Sequence, residues 1–183
     1  LLNKNVGIYW IRKDLRVYDN PALVASVENG AVLPIYILDD TNSGEHKLGS
    51  ASRIWLHQSL EKLNKKFNNN LKFFKGNPID ILANICETEK IYKIFWNIFY
   101  VPWSIQRDKK IKDTLKVKGI DINSFNGSLL WEPWEVLKND GTPYRVFTPY
   151  YSRGCLRAKE PRAPMNTPNN FDYYELKKII RID

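Results

Sequence analysis

The sequence predicts an α/β fold built on a five-stranded parallel sheet with helices on both faces. From Val6 to Phe125, short apolar runs alternate with stretches whose apolar residues have helical spacing, and this alternation is typical of βαβ units. The first two apolar runs also end directly in charged residues. Ligands of open α/β sheets gather at the carboxyl ends of the strands, so these two ends are the first candidates for a functional site.

The first predicted strand, Val6 to Ile11, is followed at once by Arg12, Lys13 and Asp14, and then by Arg16. Two interpretations of these charges remain open. In one, they face a ligand at the edge of the sheet. In the other, Arg12, Asp14 and Arg16 pair with one another and stabilise the turn.

The first helix is predicted over Pro21 to Asn29, because Asn20 is a good N-cap and proline suits the first helical position. Gly30 follows as the expected end of this helix. The second strand is predicted from Ala31 to Leu38, and it ends in the acidic pair Asp39–Asp40. The chain therefore repeats the same arrangement, in which a buried strand is followed directly by charged residues.

A long helix is predicted to begin with Ser50 or Ser52 as its cap and to end near Phe67. Its apolar residues recur at intervals of four, three and four, which places them on one face. They are Leu56, Leu60, Leu63 and Phe67. We expect Trp55 to pack beneath this helix.

Three further strands and two further helices complete the predicted fold. They are a strand at Leu71–Phe74, a helix with its apolar face at Ile79, Leu82, Ile85 and Cys86, a strand at Ile91–Trp96, a helix from Pro102 to Gly119, and a strand at Ile120–Phe125. Five strands alternating with four helices predict a doubly wound, Rossmann-like parallel sheet.

The pattern changes after Asn126, where prolines and basic residues replace the alternation of strands and helices. We predict an α/β core over residues 4–126, a segment that completes the domain over residues 127–150, and an extended C-terminal linker over residues 151–183. The chain begins with Leu1 and its only methionine is Met165. We therefore expect it to be part of a longer protein.

Composition excludes several classes of function. The net charge of +8 suggests an anionic partner, but the lysines are dispersed, so the charge is weak evidence for nucleic-acid binding. Cys86 and Cys155 have no metal-like spacing to His46 or His57, which predicts no metal site and a reducing, cytoplasmic setting. No apolar run approaches the roughly 20 residues that a membrane helix needs.

The sequence also lacks the motifs of common nucleotide sites. No G-x-G-x-x-G follows the first strand and no G-x-x-x-x-G-K-[ST] occurs, so neither a dinucleotide site nor a P-loop is expected. A hydrolytic triad is disfavoured because no nucleophile-elbow motif is present, and His57 is expected to be a surface or half-buried packing residue of its helix.

Aromatic residues are concentrated near the end of the fourth strand and after the fifth: Trp96, Tyr100, Trp103, Trp131 and Trp134. A flat conjugated ligand could stack against such a group. The alternative is that these side chains only pack in the core and at its rim.

Five motifs resemble those of the photolyase and cryptochrome family, and they occur in the family's order. They are Trp10–Arg16 with Asp19–Leu23; Leu48–Gly49 with Ser52–Leu56 and Ser59–Leu60; Trp96–Asn97 with Tyr100, Pro102–Trp103 and Arg107–Asp108; Gly127–Trp134; and Gly141–Tyr150. The resemblance covers the N-terminal α/β domain of the family and the start of its linker. The helical domain that holds FAD and receives the damaged DNA would lie outside this chain.

The resemblance implies that this domain holds an antenna pigment, a folate or a deazaflavin, which passes light energy to FAD. The pigment-binding residues that it implies are Arg12, Lys13, Asp14, Asp39, Asn97, Trp103 and Ser104. No catalytic residue is assigned, because the chain by itself offers no pocket for a flipped base. The implied partners are damaged DNA, reached through the full-length protein, and the FAD domain.

Three functions remain open on the sequence alone. The first is the antenna part of a DNA photolyase, a carbon–carbon lyase that repairs cyclobutane pyrimidine dimers. The second is the same part of a cryptochrome-type blue-light receptor, and the third is a free-standing α/β binding module.

Overall fold

A computed structural model describes residues 5–177 of the chain. These residues form two compact units, one from residues 5–127 together with 165–177 and the other from residues 128–164. The sheet and its helices belong to the first unit. No helix in the described part of the chain is long and apolar enough to cross a membrane.

The first unit contains a five-stranded sheet with the strand order β3-β2-β1-β4-β5. Its strands are β1 (Val6–Ile11), β2 (Ala31–Leu38), β3 (Lys72–Lys75), β4 (Lys93–Asn97) and β5 (Asp121–Phe125). Every pairing is parallel. The order reverses at β1, so the prediction of a doubly wound parallel sheet is confirmed.

Four helices connect the strands: α1 (Pro21–Asn29), α2 (Ser50–Lys66), α3 (Pro78–Glu89) and α4 (Pro102–Val117). Alternate residues of β1 enter different hydrophobic clusters, because neighbouring side chains of a strand point to opposite faces. Ile8 and Trp10 pack with the buried residues of α3 and α4. Tyr9 and Ile11 pack with those of α1 and α2.

The ends of α1 lie where the sequence predicts them. The Asn20 side chain accepts a hydrogen bond from the Leu23 amide at 3.1 Å, which satisfies one of the free donors of the first turn. Gly30 has φ of 134° after the helix. A methyl group on Gly30 would also overlap the carbonyl oxygen of Asn5, so glycine is required where α1 passes into β2.

Two predictions for α2 are wrong. Its N-cap is Gly49, without a side-chain hydrogen bond, and Ser50 is already the first helical residue. Trp55 does not pack beneath the helix, since it is 68% exposed. The predicted apolar stripe is correct over Leu60, Leu63 and Phe67, all of which are buried.

The last three strands begin one or two residues later than predicted. Ile91 is fully buried but precedes β4, because its amide donates to the carbonyl of Cys86 and so completes the end of α3. Leu71 likewise precedes β3, and its amide donates to the Asn64 side chain at 3.0 Å. In both cases burial alone does not place the residue in the hydrogen-bonded ladder.

Residues 165–177 belong to the first unit and pack along the rest of it in an extended conformation. The Asp19 amide donates to the Met165 carbonyl, and Val32 exchanges backbone hydrogen bonds with Asp172 and Tyr174. The Tyr174 hydroxyl also donates to Glu89 at 2.9 Å. The predicted boundaries at residues 126 and 150 stay a prediction.

The second unit, residues 128–164, consists of turns and short helical segments. The turn predicted at Asn139–Gly141 is present, and the Gly141 amide donates to the backbone carbonyl of Lys138 at 2.9 Å. Hydrogen bonds from Thr142 hold the pKa of Asp140 below its usual value. Three short helical segments follow: Phe147–Pro149, Tyr150–Gly154 and Cys155–Arg157.

Candidate functional site

Charged residues meet where β2, β1 and β4 end side by side. Arg12 follows β1 directly, Asp39 follows β2 directly, and Asn97 is the last residue of β4. The carboxyl ends of neighbouring parallel strands lie at the same edge of a sheet, which is where ligands of open α/β folds bind.

Arg12 is buried among groups that neutralise it. Its guanidinium forms an ion pair with Asp108 of α4 and donates to the backbone carbonyl of Asn97. It also lies 5.1 Å from the ring centre of Trp10 and 5.4 Å from that of Trp96. Burial lowers the pKa of Arg12, and the carboxylate of Asp108 opposes this change.

Arg107 extends this pair into a chain of alternating charge. It contacts Asp108 at 2.8 Å and Asp39 at 3.1 Å, and it donates to the Ser104 hydroxyl at 3.0 Å. Two arginines thus face two aspartates, and all four side chains are at most 10% exposed. Such a network is electrically balanced, so it fixes the positions of α4 and the strand ends without a large net charge.

Asp14 belongs to a second network and not to an ion pair with Arg12 or Arg16. Its carboxylate accepts hydrogen bonds from the Tyr9 hydroxyl at 3.0 Å and from the Asn97 amide at 2.6 Å. Asn20 donates to the same Tyr9 hydroxyl at 2.6 Å. These bonds link β1, the start of α1 and the end of β4.

Arg12, Asp14 and Arg16 form no ion pair with one another, but their hydrogen bonds do stabilise the turn. The Arg12 amide donates to the Asp14 carboxylate at 3.2 Å, and the Arg16 amide donates to the Asp14 carbonyl at 2.7 Å. The Arg16 guanidinium donates to the carbonyls of Asp19 and Gly127. The ion-pair partner of Arg12 comes instead from α4, and the strongest contacts of the Asp14 carboxylate come from Asn97 and Tyr9.

A narrow cleft lies at the ends of β1 and β2, next to the network of Arg12, Asp39 and Arg107. Among its lining residues are Arg12, Lys13, Asp39 and Trp103, together with Phe99. Asp14, Asn97 and Ser104 do not line it. The structure therefore brings four of the seven predicted site residues to the cleft and places the other three in the hydrogen-bond networks behind it.

Chemically, the cleft suits a flat heterocycle. The rings of Phe99 and Trp103 meet edge to face at 6.3 Å, and the Lys13 ammonium lies 5.8 Å from the centre of the Phe99 ring. Ser43 and Trp10 line the cleft and carry buried polar atoms without a hydrogen-bond partner within residues 5–177. Its volume of about 70 Å³ equals roughly two water molecules, so a pigment held here would lie at the mouth, partly exposed.

Sequence reasoning missed Arg107 and Asp108 as parts of this site. The signal was present, because Ser104 and Arg107 are three residues apart and share one face of α4. Their pairing with Asp39 and Arg12 had no local signal, since these partners lie far away in the sequence.

The predicted aromatic cluster is only partly formed. Trp96 is fully buried and packs edge to face on Trp10 at 5.4 Å, so it cannot stack on a ligand. Trp103 remains available at the cleft. Trp131 and Trp134 belong to the second unit, where Trp131 donates to the Lys159 carbonyl at 2.7 Å.

Comparison with known proteins identifies the family. The sequence profile described as DNA photolyase matches residues 7–169. The chain is 37% identical over 167 residues to a deoxyribodipyrimidine photo-lyase of Agrobacterium fabrum, which covers 89% of this chain and 34% of that protein. It is 33% identical over 178 residues to cryptochrome-1 of Arabidopsis thaliana, covering 95% of this chain and 26% of that protein.

Solved structures show the same fold. A bacterial class III photolyase from Agrobacterium tumefaciens superposes with a TM-score of 0.86 at 34% identity, covering 96% of this chain and 36% of the other. An archaeal photolyase from Sulfolobus tokodaii superposes with a TM-score of 0.71 at 22% identity, covering 92% and 38%. The latter was solved with two FAD molecules, which were taken to imply a novel light-harvesting cofactor in that protein.

The chain spans about a quarter to a third of the length of these relatives. The match covers the sheet apart from Val6, all four helices and all of residues 128–164. The expectation that followed from the five ordered motifs is confirmed, and this chain belongs to the DNA photolyase family.

Proposed function

We propose that the chain is the light-gathering α/β part of a deoxyribodipyrimidine photo-lyase, acting together with a FAD-binding domain to repair cyclobutane pyrimidine dimers in DNA. The observation that carries the proposal is the similarity to the Agrobacterium enzymes, at 37% identity in sequence and a TM-score of 0.86 in structure. Repair would need the FAD domain, so the chain alone has no lyase activity. The proposed cellular location is the cytoplasm.

The pigment is a folate or a deazaflavin, held at the mouth of the cleft. Lys13 and Trp103 contact it directly, while Arg12 and Asp39 form the polar floor. Asp14, Asn97 and Ser104 act as positioning residues through their hydrogen bonds. When bound, the pigment absorbs light and transfers the energy to FAD.

The chain's own residues determine how such a pigment sits. The Phe99–Trp103 pair offers an aromatic surface, and offset or edge-to-face contacts with a ring are favourable there. The exposed ammonium of Lys13 adds a cation beside that surface. Arg12 and Asp39 are each paired with an opposite charge on α4, so they orient polar atoms of the ring system without attracting a highly charged one.

Pigment binding is tested by titrating the purified chain with a folate and with a deazaflavin and following pigment fluorescence. Lys13→Gln and Trp103→Ala should each weaken binding at least threefold, since each removes one direct contact of about 1 kcal/mol. Lys72→Gln, a substitution on β3 outside the cleft, should leave binding unchanged. If neither pigment binds, the antenna role is rejected.

A blue-light receptor is the second candidate, because cryptochromes of Arabidopsis thaliana are 33% and 37% identical to the chain. The two functions differ in their action on DNA. The gene region that continues the reading frame would be expressed with this chain, loaded with FAD and illuminated with DNA containing thymine dimers. Restored thymines support the photolyase, whereas a light-driven flavin change without repair supports the receptor.

A further inference from the structure

One short turn holds both ends of the segment 128–164. The chain enters this segment after Gly127 and leaves it at Met165, and both of these flanking residues belong to the first unit. The β1–α1 turn, residues 12–20, forms hydrogen bonds with each of them. The turn therefore closes the segment into a loop at its base.

Arg16 connects the turn to the start of the segment. Its guanidinium donates to the carbonyl of Gly127 and, at 2.8 Å, to the carbonyl of Asp19. A guanidinium carries several donors in a fixed planar geometry, so it can bind two carbonyls at once, which is less suited to an ammonium group. Arg16 therefore links the residue before the segment to the residue that holds its other end.

Asp19 holds the end of the segment with two hydrogen bonds. Its amide donates to the Met165 carbonyl at 2.9 Å, and its carboxylate accepts a hydrogen bond from the Met165 amide at 3.2 Å. Asp19 has φ of 48°, a left-handed conformation that aspartate and asparagine adopt more readily than most other residues. The turn therefore has at this position a residue type that tolerates the backbone and also supplies an acceptor.

The end of β4 fixes Gly127 from its other side. Gly127 is buried, and a methyl group on it would lie 2.5 Å from the side chain of Asn97. The Asn97 amide in turn donates to Asp14 at 2.6 Å and to Asn20 at 2.8 Å, which are residues of the β1–α1 turn. The start of the segment is thus held between this turn and β4.

The segment has few contacts of its own that would keep it closed. Among residues 128–164 only Val136 and Gly154 are buried, whereas Trp134 is 60% exposed and Phe147 is 73% exposed. Regions with few buried apolar groups open at a lower free energy than the rest of a protein. Closing a loop also costs entropy that contacts must offset, so the hydrogen bonds at the base have a large share in keeping this loop closed.

We propose that the β1–α1 turn is a clamp on the two ends of residues 128–164, and that its release opens this segment as a unit while the five-stranded sheet stays folded. Arg16 and Asp19 form the clamp. The sheet does not need it, because the buried Arg12 and Asp14 keep their partners on α4 and β4. The clamp does not depend on the proposed antenna function.

Hydrogen exchange of the whole chain, measured by mass spectrometry of its peptides, tests the clamp. Asp19→Gly removes the carboxylate but accepts a positive φ without strain, and Arg16→Gln removes the guanidinium. In each variant, exchange within residues 128–164 should accelerate about threefold to tenfold, as expected for the loss of one or two hydrogen bonds. Exchange in peptides from β2 and β4 should stay within about twofold of the wild type, because local opening leaves the sheet protected.

Three matched variants separate geometry from charge. Asp19→Asn keeps an acceptor and the tolerance of a left-handed backbone, so it should retain the protection of the segment. Arg16→Lys keeps the charge but loses the planar arrangement of donors, so it should behave like Arg16→Gln. Lys62→Gln removes a positive charge at an exposed position of α2 and should leave exchange unchanged.

Trypsin gives a second measurement on the same variants. Arg145, Arg153 and Arg157 are exposed in the segment, and cleavage after them needs the surrounding backbone to open. The first cuts in Asp19→Gly and Arg16→Gln should fall at these arginines and should be about threefold to tenfold faster than in the wild type.

Three results would overturn the proposal. Unchanged exchange of residues 128–164 in both Asp19→Gly and Arg16→Gln would show that other contacts keep the segment closed. Equal acceleration in the strands and in the segment would show that the two residues stabilise the first unit as a whole. An equal effect of Lys62→Gln would assign the change to net charge.

Discussion

At the scale of single residues, the charges that follow β1 are satisfied by partners from distant parts of the chain. Arg12 pairs with Asp108, which lies 96 positions away, and Asp14 accepts a hydrogen bond from Asn97, 83 positions away. Removing one partner leaves the other buried and unpaired, which costs more than the pair contributed.

Asp108→Asn should lower the free energy of unfolding by about 3 kcal/mol, because it leaves the buried guanidinium of Arg12 without its counter-charge. Urea denaturation followed by tryptophan fluorescence measures the change. Asp113→Asn is the matched control, since Asp113 is exposed on the same helix and should shift stability by less than about 0.5 kcal/mol. Equal effects of the two substitutions would contradict the structural role of Asp108.

Tyr36 should make stability fall at high pH. Burial raises the pKa of Tyr36 from 10.0 to about 12, and the nearby carboxylate of Asp40 adds to this. The folded pKa is the higher one, so the contribution is complete below the unfolded value and is lost as pH rises towards 12. The free energy of unfolding should therefore decrease across this window by up to about 3 kcal/mol more in the wild type than in Tyr36→Phe.

Equilibrium denaturation of both proteins at several pH values between 9 and 12 would measure this difference. Tyr9, whose pKa is raised by its own burial, is present in both proteins, so its contribution cancels. Identical pH profiles would show that Tyr36 is not shielded from solvent in the folded chain.

At the scale of secondary-structure elements, local signals place most boundaries and tertiary contacts adjust the rest. Asn20 and Gly30 bound α1 as their side-chain chemistry predicts. Gly49 replaces the expected serine cap of α2, because either serine could act as a cap in isolation and only the approach of the preceding loop selects the first helical residue. Ile91 and Leu71 are buried outside their strands, since apolar patterns report burial and not ladder bonds.

Gly30→Ala should destabilise the first unit by about 2 kcal/mol or more. Alanine is strained at φ of 134°, and its methyl group would overlap the Asn5 carbonyl. Thermal unfolding followed by circular dichroism measures the loss. Val117→Ala, at an 89% exposed position in α4, serves as the control and should leave the melting temperature nearly unchanged. A small effect at Gly30 would mean that the α1–β2 junction can relax.

At the scale of the whole molecule, the two cysteines report on different compact units. Cys86 is 1% exposed in the first unit, and burial raises the pKa of its thiol to about 12. Cys155 lies in the second unit and is only partly buried. Thiolate formation and access both control thiol reactivity.

A disulfide reagent should therefore label one thiol of the native chain, and Cys155→Ser should remove this reaction. Cys86 should react only after the sheet unfolds, so its labelling rate should follow the denaturation curve of the first unit. Fast native labelling in the Cys155→Ser variant would show that α3 opens without global unfolding.

The location of the candidate site was predictable from the sequence, but the hydrogen bonds and ion pairs between its side chains were not. Charged residues after β1 and β2 pointed to the carboxyl edge of the sheet, where the structure has its cleft. Asp14, Asn97 and Ser104 were expected at a ligand, yet the structure shows them in internal hydrogen bonds. Sequence pattern cannot separate these roles, because the residue types that bind a ligand also satisfy buried polar groups.

The amino-acid sequence by itself determined the order and type of the strands and helices, the parallel sheet and the family. These depend on local periodicity, caps and ordered motifs, which are written in neighbouring residues. Only the tertiary structure decided which charges pair and which tryptophans are buried. Those features depend on which distant segments meet at the edges of the sheet, and no local pattern encodes the distance between them.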